Sequence, residues 1–465
     1  MTFTTSERSA ARERGLRGPD EPVWRRTPHG TAGVVVAVVL LTVGLLAGRP
    51  DVALVGVPVL LGAAWSGRPG AVAEQAPTRA TRHTVVMPDE PARPGELTAM
   101  LEIDAPAGTD VLHARVAAPG HRPTEVFLAP TAGMVGLAMA TVRTGPQPTF
   151  VVDLRGFGAG GATAEDVGRS AAPDRLVLPA TMPLGRVPLP ARLRGLTGPH
   201  TSRRLGDGDE LRDVHLFTPG DRLRRIDWRT TARRSPDLDD LYVRRTYATA
   251  EATTVLVIDS RDEVGPDLRT WRGDGPQRVD EPTSLDLARH AAASVARAVV
   301  GSGDRVGLED LGRRRRPLPP AAGQRQLRRV LHGLATSSPL GTPARRLRPP
   351  RLPADAIVYL FTTALDDESL RMVRTWHDHG HRVVVVDTLP VVHPVHEVHL
   401  RLAWRVTRME RDDRLRQMAA EGVPVVPWAG AARSEASARF EALVKAAERH
   451  RSAGPRSESA RGEAR

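Results

Sequence analysis

Two uncharged apolar runs near the amino terminus constrain this chain more than any other feature. The first, GTAGVVVAVVLLTVGLLAG, covers Gly30 to Gly48, and after the break Arg49-Pro50-Asp51 the second, VALVGVPVLLGAAWSG, covers Val52 to Gly67. The first is long enough for a hydrocarbon core of about 30 Å, while the second falls just under the usual range of roughly 17 to 25 residues and needs snorkelling flanks or local thinning. A cleaved signal peptide would leave the second run stranded, and a buried soluble hairpin is the other alternative. The pattern therefore predicts a two-helix membrane hairpin over residues 30–67. Arg8, Arg12, Arg14, Arg17, Arg25 and Arg26 precede it and Arg68, Arg79 and Arg82 follow, against a single Arg49 in the turn. Positive charge on both outer flanks places both termini in the cytoplasm, with the protein multi-pass in the cell inner (plasma) membrane.

Cysteine is absent from the 465 residues, which excludes disulfides, thiolate metal sites and a cysteine nucleophile. Lys and Arg number 66 against 54 Asp and Glu, a net charge of +12, and the only lysine is Lys445. An excess carried by arginine in an Ala-, Gly- and Pro-rich chain reflects GC-rich coding, which weakens the case for a nucleic-acid partner. Aromatic residues at 4% also argue against base-stacking platforms.

Residues 1–29 read as a basic cytoplasmic tail, and 68–82 as a linker. Residues 83–195 hold short β-branched or alternating segments, such as Leu97 to Ile103 and Val111 to Ala117, between Pro/Gly turns, which predicts a small β-sandwich-like domain. From Thr253 the rhythm changes. TTVLVIDS is a near-continuous apolar strand, and Thr283-Ser284-Leu285-Asp286 offers a capping box opening a helix. Strands at Arg305 to Leu308, Ala356 to Phe361, Val383 to Asp387 and Val423 to Trp428 alternate with helical stretches, which predicts an α/β domain with a mainly parallel sheet over 253–450. Residues 451–465 are too polar to fold.

Between these domains, residues 196–252 contain Pro219-Gly220-Asp221, Arg224, Ile226-Asp227-Trp228 and Ala232-Arg233, ahead of a strand that ends in Asp259. Pro219-Gly220 is turn chemistry, and the three-residue spacing of Asp221 and Arg224 would set them side by side on a helical turn. Asp227 could pair with Arg229 or Arg233 under the Trp228 indole. Gly220, Asp221, Arg224, Asp227, Trp228 and Arg233 thus form either a structural clamp or a surface that docks a partner. The segment resembles the signature of the bacterial family called domain of unknown function 58. That resemblance implies a membrane hairpin, a β-rich segment and a von Willebrand factor A-like α/β domain. It also implies a MoxR-type AAA+ ATPase as partner, in assembly or maturation of other proteins.

Von Willebrand A-like domains often hold Mg²⁺ through Asp-x-Ser-x-Ser plus a Thr and an Asp from later loops. Here the matching run is Asp259-Ser260-Arg261-Asp262-Glu263, with Thr342 and Asp366 at the later-loop positions. Arg261 in place of the first Ser repels a divalent cation, so the site reads as degenerate and no cofactor is expected. Asp259 then pairs with Arg261 or caps the following segment.

Gly156-Phe157-Gly158-Ala159-Gly160-Gly161 satisfies GxGxxG, but no long helix follows it and a β-domain turn is expected. His393, His396 and His399 fall at every third position around Pro394, a loop entering a strand and not a zinc site. Arg313, Arg314, Arg315 and Arg316, with Arg325, Arg328, Arg329, Arg345, Arg346, Arg348 and Arg351, form a basic stretch able to meet anionic lipid or nucleic acid. No GxSxG elbow, HExxH pair or phosphate-binding GxxxxGK occurs, so an enzyme is not expected. The expected function is a membrane-anchored interaction module. The alternatives are a Mg²⁺-dependent ligand-binding domain and a lipid or nucleic-acid binder working through the arginine stretch.

Overall fold

The structure is a computed structural model and describes residues 24–66, 79–88, 93, 95–158, 161, 163–193, 198–272, 278–313, 316–340, 349–430 and 432–452. They divide into two compact units, the first holding the chain to Ala140 and again Pro148–Arg175, the second holding Thr141–Gln147 and everything from Leu176.

The first unit begins with strand β1 (Trp24–Arg26) and helices α1 (Pro28–Leu46) and α2 (Pro50–Ser66). Strands β2 (Arg82–Val86), β3 (Glu96–Asp104), β4 (Thr109–Ala117), β5 (Thr124–Leu128) and β6 (Met134–Ala140) follow. The chain then passes through strand β7 (Gly145–Gln147) of the second unit and returns as β8 (Val151–Gly158), β9 (Thr163–Glu165) and β10 (Gly168–Ala171). Pairing here is antiparallel, in the orders β1-β9-β8-β4-β5, with β10 also on β8, and β2-β3-β6. In β3 the period of two turns Leu97, Ala99, Leu101 and Ile103 into the core.

The membrane hairpin expected over 30–67 is overturned: among the described residues no helix is long and apolar enough to cross a membrane. The helix boundaries supply the reason. α1 opens on Pro28-His29-Gly30-Thr31, so its apolar part is Ala32–Leu46, only about 22 Å at 1.5 Å per residue. α2 has 17 residues and an internal Pro58, so it reaches about 26 Å, also short of a hydrocarbon core of about 30 Å. The two helices pack on each other instead. A Cβ at Gly56 would lie 2.9 Å from the Ala37 carbonyl oxygen, so only glycine permits this approach. With the spans goes the placement in the cell inner membrane with both termini cytoplasmic.

Strand β11 (Arg175–Val177) leads into a long antiparallel ribbon of β12 (His200–Leu216) and β13 (Tyr242–Ala250), with the seven-residue helix α3 (Trp228–Arg234) in the connection. Beyond it come β14 (Thr253–Ile258), α4 (Ser284–Gly301), β15 (Arg305–Asp310), β16 (Leu318–Ala321), α5 (Gln324–Thr336) and β17 (Ile357–Thr362). The unit closes with α6 (Asp367–Asp378), β18 (Arg382–Asp387), α7 (Val398–Ala420), β19 (Val425–Pro427) and α8 (Ala432–Ser452). The sheet order is β16-β15-β14-β17-β18-β19.

Both faces of this sheet are covered, which is why its strands are rich in Val, Ile and Leu. Leu256, Ile258, Tyr359, Phe361, Val384 and Val386 face α4 and α8 with Trp428 and Phe440. Val255, Val257, Val358, Leu360, Val383 and Val385 face Leu370, Val373 and Trp376 of α6 and Met418 of α7. The sheet is mixed, because β16 pairs antiparallel with β15. The connection Leu311–Pro317 is too short for a crossover helix, and Pro319 and Pro320, which have no N–H to donate, confine β16 to the edge. The class expected from the sequence, a membrane hairpin, a β-sandwich-like domain and a von Willebrand factor A-like domain with a mainly parallel sheet, is therefore corrected. The protein combines antiparallel sheets, a separate antiparallel ribbon and a mixed sheet, with no spanning helix among the described residues.

Candidate functional site

β15 and β17 flank β14 on opposite sides, so the chain leaves β14 at a point where the sheet order reverses, the crevice in which open α/β sheets place their chemistry. Asp259 is the first residue beyond the strand, and its N–H donates to the Phe361 carbonyl at 3.0 Å. The buried Arg261 side chain turns back over it, with Nε donating to Asp259 Oδ1 and Nη2 to Oδ2, each at 2.8 Å. The same guanidinium reaches the amino end of α6, with Nη1 2.6 Å from Asp366 Oδ2 and 3.1 Å from Glu368 Oε2. Thr362 Oγ1 donates to Asp259 Oδ2 at 2.8 Å, and Asp366 Oδ1 accepts the Glu368 and Ser369 N–H groups. One buried cation thus ties the ends of β14 and β17 to α6. Burial alone would lower the Arg261 pKa, but Asp259 and Asp366 hold it well above the ordinary arginine value.

A second arginine repeats the device nearby: Arg411 of α7 donates Nε to the Thr363 carbonyl at 2.7 Å and pairs with Asp387 at the end of β18. The sequence reading missed Arg411, Glu368 and Asp387, since no local motif marks them. In the same unit, Asp286 in the capping box of α4 accepts from Thr283 N at 3.0 Å and also from Thr144 N at 2.7 Å. Only the capping half of that network is visible in the sequence.

These residues do not fit Mg²⁺. A divalent cation needs carboxylate and hydroxyl oxygens free to converge, yet the carboxylates of Asp259, Asp366 and Glu368 already converge on a guanidinium. Thr342 lies outside the described residues, and among those described no group of three or more His, Asp or Glu is arranged to hold a metal ion.

Asp262 records the excess negative charge. Burial, with added repulsion from Asp259 and Asp366 and partial relief from Arg261, pushes its carboxyl up to about 7. An unfolded Asp titrates near about 3.9, so between these values the folded chain binds a proton that the unfolded chain has lost. The contribution of Asp262 to stability is therefore greatest below the unfolded value and falls as pH rises towards 7, by up to about 4 kcal/mol. Urea denaturation at about pH 4.5 and about pH 8 should show this loss in the native protein and not in Asp262→Asn. Equal pH dependence in the two proteins would show that Asp262 does not carry the proton.

The signature residues occupy the β12–β13 connection. Asp221 accepts from Thr218 N at 2.9 Å and Thr218 Oγ1 at 2.8 Å, which holds its carboxyl below the usual carboxylate range, and Gly220 closes the turn at φ +109°. Asp227 caps α3 by accepting from Thr230 N at 3.0 Å, which likewise lowers its pKa. The sequence suggested Asp221–Arg224 and Asp227–arginine pairs; both carboxylates turn to backbone N–H groups instead. Arg224 projects outward, 4.0 Å from Asp207, which also takes Arg222 and Arg225. α3 is pinned to β13, since Tyr242 N donates to the buried Thr231 Oγ1 at 3.0 Å and Asp227 N to the Tyr242 carbonyl at 2.8 Å. Trp228 is nonetheless 61% exposed and Leu223 68%, with Arg229 and Arg233 exposed beside them.

Residues 213–398 match the family model described as Protein of unknown function DUF58. No curated protein and no solved structure matches the chain. The DUF58 segment, less than half of the chain, holds both the signature turn and the Arg261 cluster, and it ends at the first residue of α7. Other sequence candidates fall elsewhere. Arg313 donates to the Ser338 carbonyl at 3.2 Å, Arg316 is exposed, and Arg314, Arg315, Arg345, Arg346 and Arg348 lie outside the described residues. His393 stands 3.4 Å from Glu281, and its loop enters α7, not the strand expected. Gly156 and Gly158 belong to β8, which leads to its antiparallel neighbour β9, while Ala159 and Gly160 lie outside the described residues.

Proposed function

We propose that this protein is a non-catalytic interaction module whose signature turn docks a partner protein, and that the partner is a MoxR-type AAA+ ATPase, as the resemblance to domain of unknown function 58 implies. The observation that carries the reading is the pairing of exposure with rigidity at Trp228. The indole and Leu223 stand in solvent among Arg222, Arg224, Arg229 and Arg233, yet the backbone beneath them is hydrogen-bonded to β13. Trp and Arg are the side chains that most often dominate protein interfaces, and a preformed turn spares the ordering cost of binding. Assembly or maturation of client proteins is the role this partnership would serve. The Mg²⁺-dependent alternative lacks comparable support, since Arg261 stands where the cation would.

Binding of the full chain to a purified MoxR-type ATPase of the same organism tests the reading. Trp228→Ala and Arg224→Ala should each weaken it about 10- to 100-fold, or about 1.4 to 2.8 kcal/mol, while the circular dichroism stays unchanged. Unaltered affinity in both variants, or no binding by the native chain, would refute the proposal.

A further inference from the structure

α7 leaves an apolar stripe in solvent. Val398, Leu402, Val406 and Met409 recur at spacings of four, four and three, within an arc of about 80° at 100° per residue, over about 16 Å. They are 68%, 61%, 50% and 57% exposed. The opposite side of the helix is the anchored one. Trp404 packs edge-on against Trp271 with ring centroids 5.5 Å apart, and Arg411 and Met418 are the residues of α7 buried in the unit. The stripe is therefore not the core face of a helix; it is a second hydrophobic face, and such faces mark recognition sites on otherwise charged surfaces.

Its edges decide what fits. Arg401, Arg405 and Arg408 line one edge in a row, all exposed and, among the described residues, without an ion-pair partner. The other edge carries His399, Ala403 and Glu410. A second copy of this helix would be a poor occupant, because antiparallel two-fold pairing sets each edge against its own copy and faces the arginine row with an arginine row. A helix with carboxylates on the matching edge meets the same stripe with opposite charge.

We propose that α7 is a docking face for an amphipathic helix of another protein whose apolar stripe is edged by Glu or Asp. The face lies beyond the DUF58 segment save for Val398, and it does not depend on the signature turn.

Fluorescence anisotropy of two synthetic amphipathic helical peptides with the full chain tests this, the peptides sharing one leucine stripe and differing only in Glu or Lys along the edge. The Glu-edged peptide should bind at least about 10-fold more tightly than the Lys-edged one. Leu402→Asp combined with Val406→Asp should abolish that binding. Arg401→Glu, Arg405→Glu and Arg408→Glu together should invert the preference. Equal binding of both peptides, binding of neither, or a charge reversal without effect overturns the proposal. So does a stripe-dependent dimer in sedimentation, or stripe-dependent attachment to phosphatidylglycerol vesicles without peptide preference. All five substituted side chains are exposed, so a change in circular dichroism is not expected to obscure the outcome.

Discussion

Arg261→Ala should destabilise the second unit by about 3 to 5 kcal/mol, the range for removing one member of a buried ion-paired group. The cost comes less from lost attraction than from what is left behind. Asp259 and Glu368 are buried, and with the guanidinium gone their carboxylates have neither water nor a counter-charge. Buried Trp376 and Trp428 report unfolding of this unit by fluorescence during urea denaturation. Arg261→Ala combined with Asp259→Asn should recover part of the loss, because the double variant removes one of the stranded charges. A single-variant cost under about 1 kcal/mol would mean that the carboxylates reach water or take up protons without the arginine. The same experiment with added Mg²⁺ separates two views of the cluster: the native protein should gain no stability from the ion, since its oxygens are already engaged.

Asp286→Ala is expected to be comparably damaging, at about 3 to 5 kcal/mol including about 1 kcal/mol for the lost helix cap. One buried carboxylate here serves three parts of the second unit. It caps α4 through Thr283, accepts from Thr144 N at 2.7 Å and Thr144 Oγ1 at 2.6 Å, and neutralises two arginines. Arg289 Nη1 lies 3.3 Å from Asp286 Oδ1 and Arg143 Nε 2.7 Å from Oδ2. Burial lowers the Arg289 pKa, and the charges of Asp286 and Glu263 oppose that shift. Asp286→Asn keeps acceptor geometry but not charge and should fall between native and alanine. Hydrogen exchange should accelerate in Thr141–Gln147 and the first turn of α4 before other parts of the unit. Uniform acceleration would show instead that the carboxylate stabilises the unit only globally.

The local content of the second unit was legible because it rests on interactions between near neighbours. The run TTVLVI announces β14, and Thr283 with Asp286 announces the start of α4, since a capping box closes within four residues. The pairing of Asp259 with Arg261, at a separation of two, was one of the two readings the sequence left open for that carboxylate. The signature stood out by its residues, but its ion-pair reading did not survive. Asp221 and Asp227 found backbone donors within three positions, a cheaper partner than a long, mobile arginine.

The sequence by itself placed strands β14, β15, β17, β18 and β19 of the mixed sheet and left Asp259 either paired with Arg261 or capping the following segment; it did not show the antiparallel edge strand β16. Only the tertiary structure decided that Arg261 also reaches Asp366 and Glu368, that Thr144 closes on Asp286, and that one face of α7 is left to solvent. It also decided the apolar runs: α1 spends its first turn on Pro28-His29-Gly30-Thr31 and α2 carries Pro58 inside it, so neither helix offers an apolar length that crosses a hydrocarbon core. Contacts made across more than a hundred residues depend on strand order, and strand order is set by how faces pack, a property that no short window of sequence contains.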